Sequence, residues 1–146
     1  MAPTKTELGS DLVIYASRLV RAIRRELDLP AGTRVLSILD EVGAVGISQL
    51  AQLDNCSQPT MSAAVASLSE LGLISKTPHP SDARSSVVEL TPAGRQELQD
   101  VRTRYASAIA ARLEERGHTT EQLATAVAVL RDVVEPAHLT EEHTHR

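Results

Sequence analysis

Six apolar side chains, Leu8, Leu12, Tyr15, Leu19, Ile23 and Leu27, recur at spacings of 4, 3, 4, 4 and 4, which is one stripe along a long helix. The signature returns towards the other end of the chain. Leu98, Val101, Tyr105 and Ile109 follow at 3, 4 and 4, and Leu123, Val127, Leu130 and Val134 share one face of a further helix. These stripes constrain the fold more than any other feature, because each must dock on something. The segment between them is too small to cover all three in one protomer, so an intertwined homodimer is the natural way to bury them. The punctuation agrees. Residues 28–32, with Pro30 and Gly32, break the first helix, and Thr91 caps the second, with Pro92 in its first turn and Gly117 as its stop. Thr119 and Gln122 form a capping-box pattern for the last helix, which ends at Pro136.

The middle of the chain reads as short elements. A helix is predicted over residues 33–42, with Thr33 as N-cap and Val35, Ile38, Leu39 and Val42 buried. Gly43 and Gly46 bracket a tight connection into a helix over 47–53. Residues 54–57 then lead into a fourth helix with Ser57 as N-cap, Pro59 in its first turn and Gly72 as its stop, and Asn55 suits a left-handed backbone in the turn. Two short helices joined this closely suggest a helix-turn-helix. Residues 73–77 and 86–90 are β-prone runs separated by a polar, proline-containing tip, a hairpin. The expected fold is mainly α with a small β-hairpin wing: a winged helix-turn-helix over 31–94, flanked by dimerisation helices over 1–30 and 95–146, all one intertwined domain.

Composition narrows the function. A chain of 146 residues fits one domain. With no Trp, no Phe and two Tyr, the core must be aliphatic, and single-stranded nucleic acid loses its usual stacking platform. The single cysteine, Cys56, excludes an internal disulfide framework and points to a reducing, cytoplasmic location. No stretch is long enough to span a membrane, and Glu7 and Asp11 interrupt anything resembling a leader. There is no Gly-rich phosphate loop, no His-x-x-x-His pair and no nucleophile with an obvious base, so neither catalysis nor a cofactor is expected. His138, His143 and His145, with Glu141 and Glu142, read as a polar tail rather than a metal site. The net charge of −4 has the wrong sign for a generic polyanion binder, so distribution matters more than the total. From residue 35 to 75 there is no Lys or Arg against Asp40, Glu41, Asp54 and Glu70.

The run Asp82, Ala83, Arg84, Ser85, Ser86, Val87, Val88, Glu89, Leu90, Thr91, Pro92, Ala93, Gly94 resembles the wing signature of the MarR family of winged-helix regulators, D-x-R-x5-L-T-x-x-G. Leu50-Ala51, and Leu68 with Gly72-Leu73, resemble that family's helix signatures, and the likeness covers about residues 8–136. The resemblance implies a dimeric transcriptional regulator whose fourth helix enters the major groove of a palindromic operator, most simply a repressor. It assigns Arg84 to the minor groove, with Asp82 orienting its guanidinium. A planar guanidinium does suit that narrow, electronegative groove. It also implies a small ligand, often a phenolic or other aromatic acid, between the dimer helices and the reading head, with Tyr15 and Arg18 as its lining. Ala83, Ala63 and Ser67 stand where the family is often basic.

For direct readout the fourth helix offers Ser57, Gln58, Thr60 and Ser62. Gln58 can pair bidentately with adenine, and Thr60 can offer its methyl to thymine. Phosphate contacts fall to Arg34, Lys76 and Arg84, which in two protomers gives a salt slope of roughly −5. Two other readings stay open. The missing positive charge over 35–75 also suits a winged-helix module that binds protein, and Cys56 beside the recognition helix suits a thiol sensor, although a buried thiol in such a turn is normally inert.

Overall fold

The structure, a computed structural model, describes residues 1–30, 32–82 and 84–135. The polar tail with its histidines lies outside them. The first helix, α1 (Lys5–Glu26), begins earlier than the apolar stripe indicates, because Thr4 and Glu7 close a reciprocal capping box ahead of it. Its cap sets the start, while the stripe only marks a face. The second helix, α2 (Thr33–Val42), is capped by Gly32, not by Thr33. Gly32 holds φ at 92°, a region glycine enters at little cost, and the Thr33 hydroxyl turns back to donate to the Pro30 carbonyl at 2.8 Å. The buried face of α2 is Val35, Leu36 and Leu39; Ile38 is half-buried and Val42 exposed, so the helix is turned towards Leu36 relative to the predicted face.

Between Gly43 and α3 (Ile47–Asp54) the chain forms a two-residue strand, β1 (Val45–Gly46), where only a tight connection is predicted. Asn55 ends α3 in the left-handed region, with φ 53° and ψ 45°, as its short amide side chain allows. Then follow α4 (Gln58–Glu70), capped by Ser57 with Pro59 in the first turn, and the hairpin β2 (Ile74–Pro78) and β3 (Ser86–Leu90). The sheet is antiparallel in the order β1-β3-β2, with Val45 opposite Val88 and Lys76 opposite Val88 from the other side. Helices α5 (Pro92–Glu115) and α6 (Thr120–Val134) complete the described chain, the latter with the predicted Thr119–Gln122 capping box.

Two compact units emerge, Met1–Ala106 and Ser107–Arg146. The first holds an aliphatic core: Leu36, Leu39, Leu50, Met61, Val65, Leu68, Ile74, Val88 and Leu98 are at most 3% exposed. Burying each such side chain contributes on the order of 1.5–3 kcal/mol. The wing is anchored to this core through Thr91. Its hydroxyl donates to the Gly72 carbonyl at 2.6 Å and accepts the Gly94 N–H at 3.1 Å, while its own N–H donates to the Leu73 carbonyl. Gly94 must be glycine: a Cβ there would stand 1.9 Å from the Leu73 carbonyl oxygen. The Leu-Thr-Pro-Ala-Gly run is therefore a joint that seats α5 against the start of β2. In the second unit no described residue is buried. Among the described residues no helix is long and apolar enough to cross a membrane.

Candidate nucleic-acid interface

The turn between α3 and α4 presents the start of α4 outward. Ser57 Oγ accepts the Thr60 N–H at 3.2 Å and shares a 2.7 Å hydrogen bond with the Thr60 hydroxyl, so these two residues complete the N-cap together. With Pro59 lacking an N–H and the Thr60 N–H taken by Ser57, it is the positive dipole end of the 13-residue helix α4 that favours an anion at this point. One turn apart on the same face, Gln58 and Ser62 look across to the wing. There a groove of about 470 Å³ is lined by Ser48 and Gln49 from α3, Gln58 and Ser62 from α4, Lys76 and His79 on the β2 side, and Arg84, Ser85 and Ser86 on the β3 side. Pairing of β1 with β3 is what carries the start of α3 to the wing.

The charges of this groove run opposite to the chain's total. Its formally charged lining residues are Lys76 and Arg84, both cationic. The acids of the cation-free segment are partly neutralised from elsewhere: Asp40 pairs with Arg102 of α5 at 2.8 Å, and Asp54 with Arg34. A groove with two cations, flanked by hydrogen-bonding side chains and a helix N-terminus, is suited to a duplex backbone at one wall and base edges at the other.

Of the sequence-predicted residues, the groove gathers Gln58, Ser62, Lys76 and Arg84. Ser57 and Thr60 form the N-cap of α4 and do not line the groove. Asp82 reaches Arg84 at the backbone, not at the guanidinium: Oδ1 accepts the Arg84 N–H at 3.0 Å and Oδ2 the Ser85 hydroxyl at 3.1 Å. The aspartate thus shapes the turn that presents Arg84. Arg34 lies on α2 with its Nε–H donated to Asp54 and takes no part in the groove. Tyr15 and Arg18 are exposed on α1, the guanidinium 5.6 Å from the ring centroid. Cys56 is half-buried beside the core. Burial pushes its thiol up from the ordinary range, the Asp54 carboxylate adds to this, and Arg34 opposes it. The sequence places His79 at the hairpin tip, facing solvent or phosphate, and it lines the groove, whereas Ser48 and Gln49 are groove residues that sequence reasoning passes over. The polar run Ser48-Gln49 on the face of α3 away from Leu50 and Ala51 is the signal that marks them.

The three-helix head, the paired wing and the groove between them define a winged helix-turn-helix protein. A model of the MarR family matches residues 30–86. The HTH-type transcriptional regulator ML2140 of Mycobacterium leprae is 30% identical over 106 residues, 70% of this chain and 74% of that one. The HTH-type transcriptional regulator MT0903.1 of Mycobacterium tuberculosis is 29% identical over 141 residues, 94% and 92% of the two chains. The chain belongs to the MarR family of transcriptional regulators. The fold agrees with solved structures: the apo form of wild-type MarR from Escherichia coli superposes with a TM-score of 0.69 at 18% identity, covering 92% of this chain and 99% of that one. A mutant of the same protein complexed with operator DNA gives 0.56 at 19% identity, over 88% and 91%.

Proposed function

We propose that this chain binds a short palindromic duplex as a homodimer and represses transcription, without catalysing a reaction, in the cytoplasm. The observation that carries the reading is the groove between α4 and the wing, where Gln58 and Ser62 face Lys76 and Arg84 with no acid in the lining. In this assignment α4 enters the major groove with Gln58 and Ser62 at base edges. Ser57 and Thr60 bring the helix N-terminus to phosphate, Lys76 meets the backbone, and Arg84 reaches the adjacent minor groove from the turn shaped by Asp82. Arg34, already engaged by Asp54, contributes position rather than charge. With Lys76 and Arg84 engaged in both protomers, the salt slope is about −3.6, at −0.9 per phosphate.

The dimer is supported by apolar surface on both flanking helices. Val13, Ile14, Tyr15, Leu19 and Val20 of α1 and Leu123, Val127, Leu130, Val133 and Val134 of α6 are all exposed, more than isolated surface side chains would account for. These helices set the separation of the two reading heads. A small aromatic or phenolic acid bound on α1, with Tyr15 and Arg18 as its contacts, would release the operator by changing that separation. Footprinting on DNA from the chain's own upstream region tests the reading. Two protected half-sites with centres about 34 Å apart, one helical turn, are expected. Protection of one isolated half-site would contradict the dimer, and protection unchanged by every aromatic acid tried would contradict the release step.

A further inference from the structure

The groove holds a titratable residue that the proposed contacts leave unused. His79 follows β2 directly, and its N–H donates to the Ser85 carbonyl at 2.9 Å, which holds the backbone across the mouth of the hairpin. Its ring is oriented from within the tip. The Ser81 N–H donates to Nδ1 at 3.2 Å, and the Ser81 hydroxyl lies 3.0 Å from the same nitrogen. Accepting a backbone N–H requires the Nδ1 lone pair, so the neutral ring carries its proton on Nε2, as a donor. When the ring gains a second proton, Nδ1–H can donate to the Ser81 hydroxyl, while the Ser81 N–H loses its acceptor. The hydroxyl thus partners Nδ1 in both charge states, and the Ser81 N–H, which serves only the neutral ring, must be outweighed by an anion outside the tip.

The charged groups around it are few. From its own hairpin come Lys76 and Arg84, while α3 contributes Ser48 and Gln49 and α4 contributes Gln58 and Ser62, all uncharged. The nearest acid of the tip, Asp82, spends its two oxygens on the Arg84 N–H and the Ser85 hydroxyl. A third positive charge in this groove thus has no carboxylate in the lining to receive it. A duplex phosphate would supply the missing anion, and an opposite charge within about 4–6 Å favours the charged form of a titratable group.

We infer that His79 is a proton-linked DNA contact: it takes up a proton as a backbone phosphate reaches the groove, so affinity for duplex rises as the pH falls through the range in which imidazoles titrate. The inference rests on the proposed DNA binding and adds a contact and a pH response to it. The sign follows from the species bound. The complex holds one more proton per engaged His79 than its separated parts, so acid favours it. One pH unit of added proton affinity corresponds to about tenfold in binding per His79, or about a hundredfold for two protomers between high and low pH.

Fluorescence anisotropy on duplex from the chain's own upstream region, at constant salt from about pH 5.5 to 8.5, separates the possibilities with the intact protein, His79→Gln and His79→Lys. The unsubstituted protein is expected to gain up to about a hundredfold in affinity towards acid. His79→Gln should match it at the alkaline end and lack that gain, and His79→Lys should bind tightly throughout. A pH response shared by His79→Gln overturns the inference while leaving DNA binding intact. Failure of all three proteins to bind at any pH overturns both. The proton NMR titration of the His79 ring, assigned by its absence in His79→Gln, gives a readout independent of affinity. Its midpoint should move to higher pH when duplex is added, and an unmoved midpoint overturns the inference.

Discussion

Arg34 and Arg84 carry the same guanidinium and sit in different circumstances: Arg34 is engaged by Asp54 between α2 and α3, whereas Arg84 lines an acid-free groove on a turn built by Asp82. The two should respond differently to truncation. Arg84→Ala, like Lys76→Ala, should lower the magnitude of the salt slope by about 0.9 for each protomer bound, whereas Arg34→Ala should leave the slope unchanged and cost at most about 1 kcal/mol of stability, as exposed pairs do. Binding titrations across a salt series and urea unfolding measure both. Cys56 belongs to the same scale. Burial and the neighbouring Asp54 carboxylate both disfavour its thiolate, so the protonated thiol persists as the pH rises through the ordinary thiol range. Alkylation at neutral pH should be slower than for a free thiol, and Cys56→Ser should leave DNA binding under peroxide unchanged. Rapid alkylation at neutral pH would restore the thiol-sensor reading.

At the scale of elements, the local chemistry of caps and turns explains what could be read in advance. The Ser57 cap with Pro59, the Asn55 turn, the Thr119–Gln122 box and the strand over 86–90 are each fixed by side chains adjacent in sequence, and each forms. β1 is illegible in the sequence because two residues, one of them Gly46, carry no period, and its existence depends on Val88, more than 40 positions away. The start of α2 misled because a hydroxyl in the right place was used for a different bond, to Pro30. The groove follows the same division. Gln58, Ser62, Lys76 and Arg84 stand out by type and position, and His79 by its place at the hairpin tip, whereas Ser48 and Gln49 are brought to the groove by β1 pairing, a tertiary fact. Gly94 shows how a short motif can be structural: its missing side chain lets α5 approach the Leu73 carbonyl. Gly94→Ala should therefore destabilise the protein by about 3 kcal/mol or more, the upper end of overpacking costs, in urea or thermal unfolding. A loss below about 0.5 kcal/mol, the usual scale of a neutral surface change, would contradict this view of the joint.

At the scale of the molecule, the chain carries more apolar helix surface than its own core uses. Glutamates at Leu19 of α1 and Val127 of α6, both exposed here, should shift light scattering from dimer towards monomer and weaken operator binding, because two tethered reading heads become two independent ones. Unchanged mass would place the dimer elsewhere. A net charge of −4 and a cation-free reading helix remain compatible with a polyanion because the acids at Asp40 and Asp54 are paired and the groove keeps two cations. The most direct test is titration of duplex from the chain's own upstream region with the protein and with Arg84→Ala, across a salt series. Tight binding is expected with a slope near −3.6, weakened in Arg84→Ala by tenfold or more, in line with about 1–3 kcal/mol for a good contact. Equal binding by the two proteins, or none by either at low salt, would contradict it.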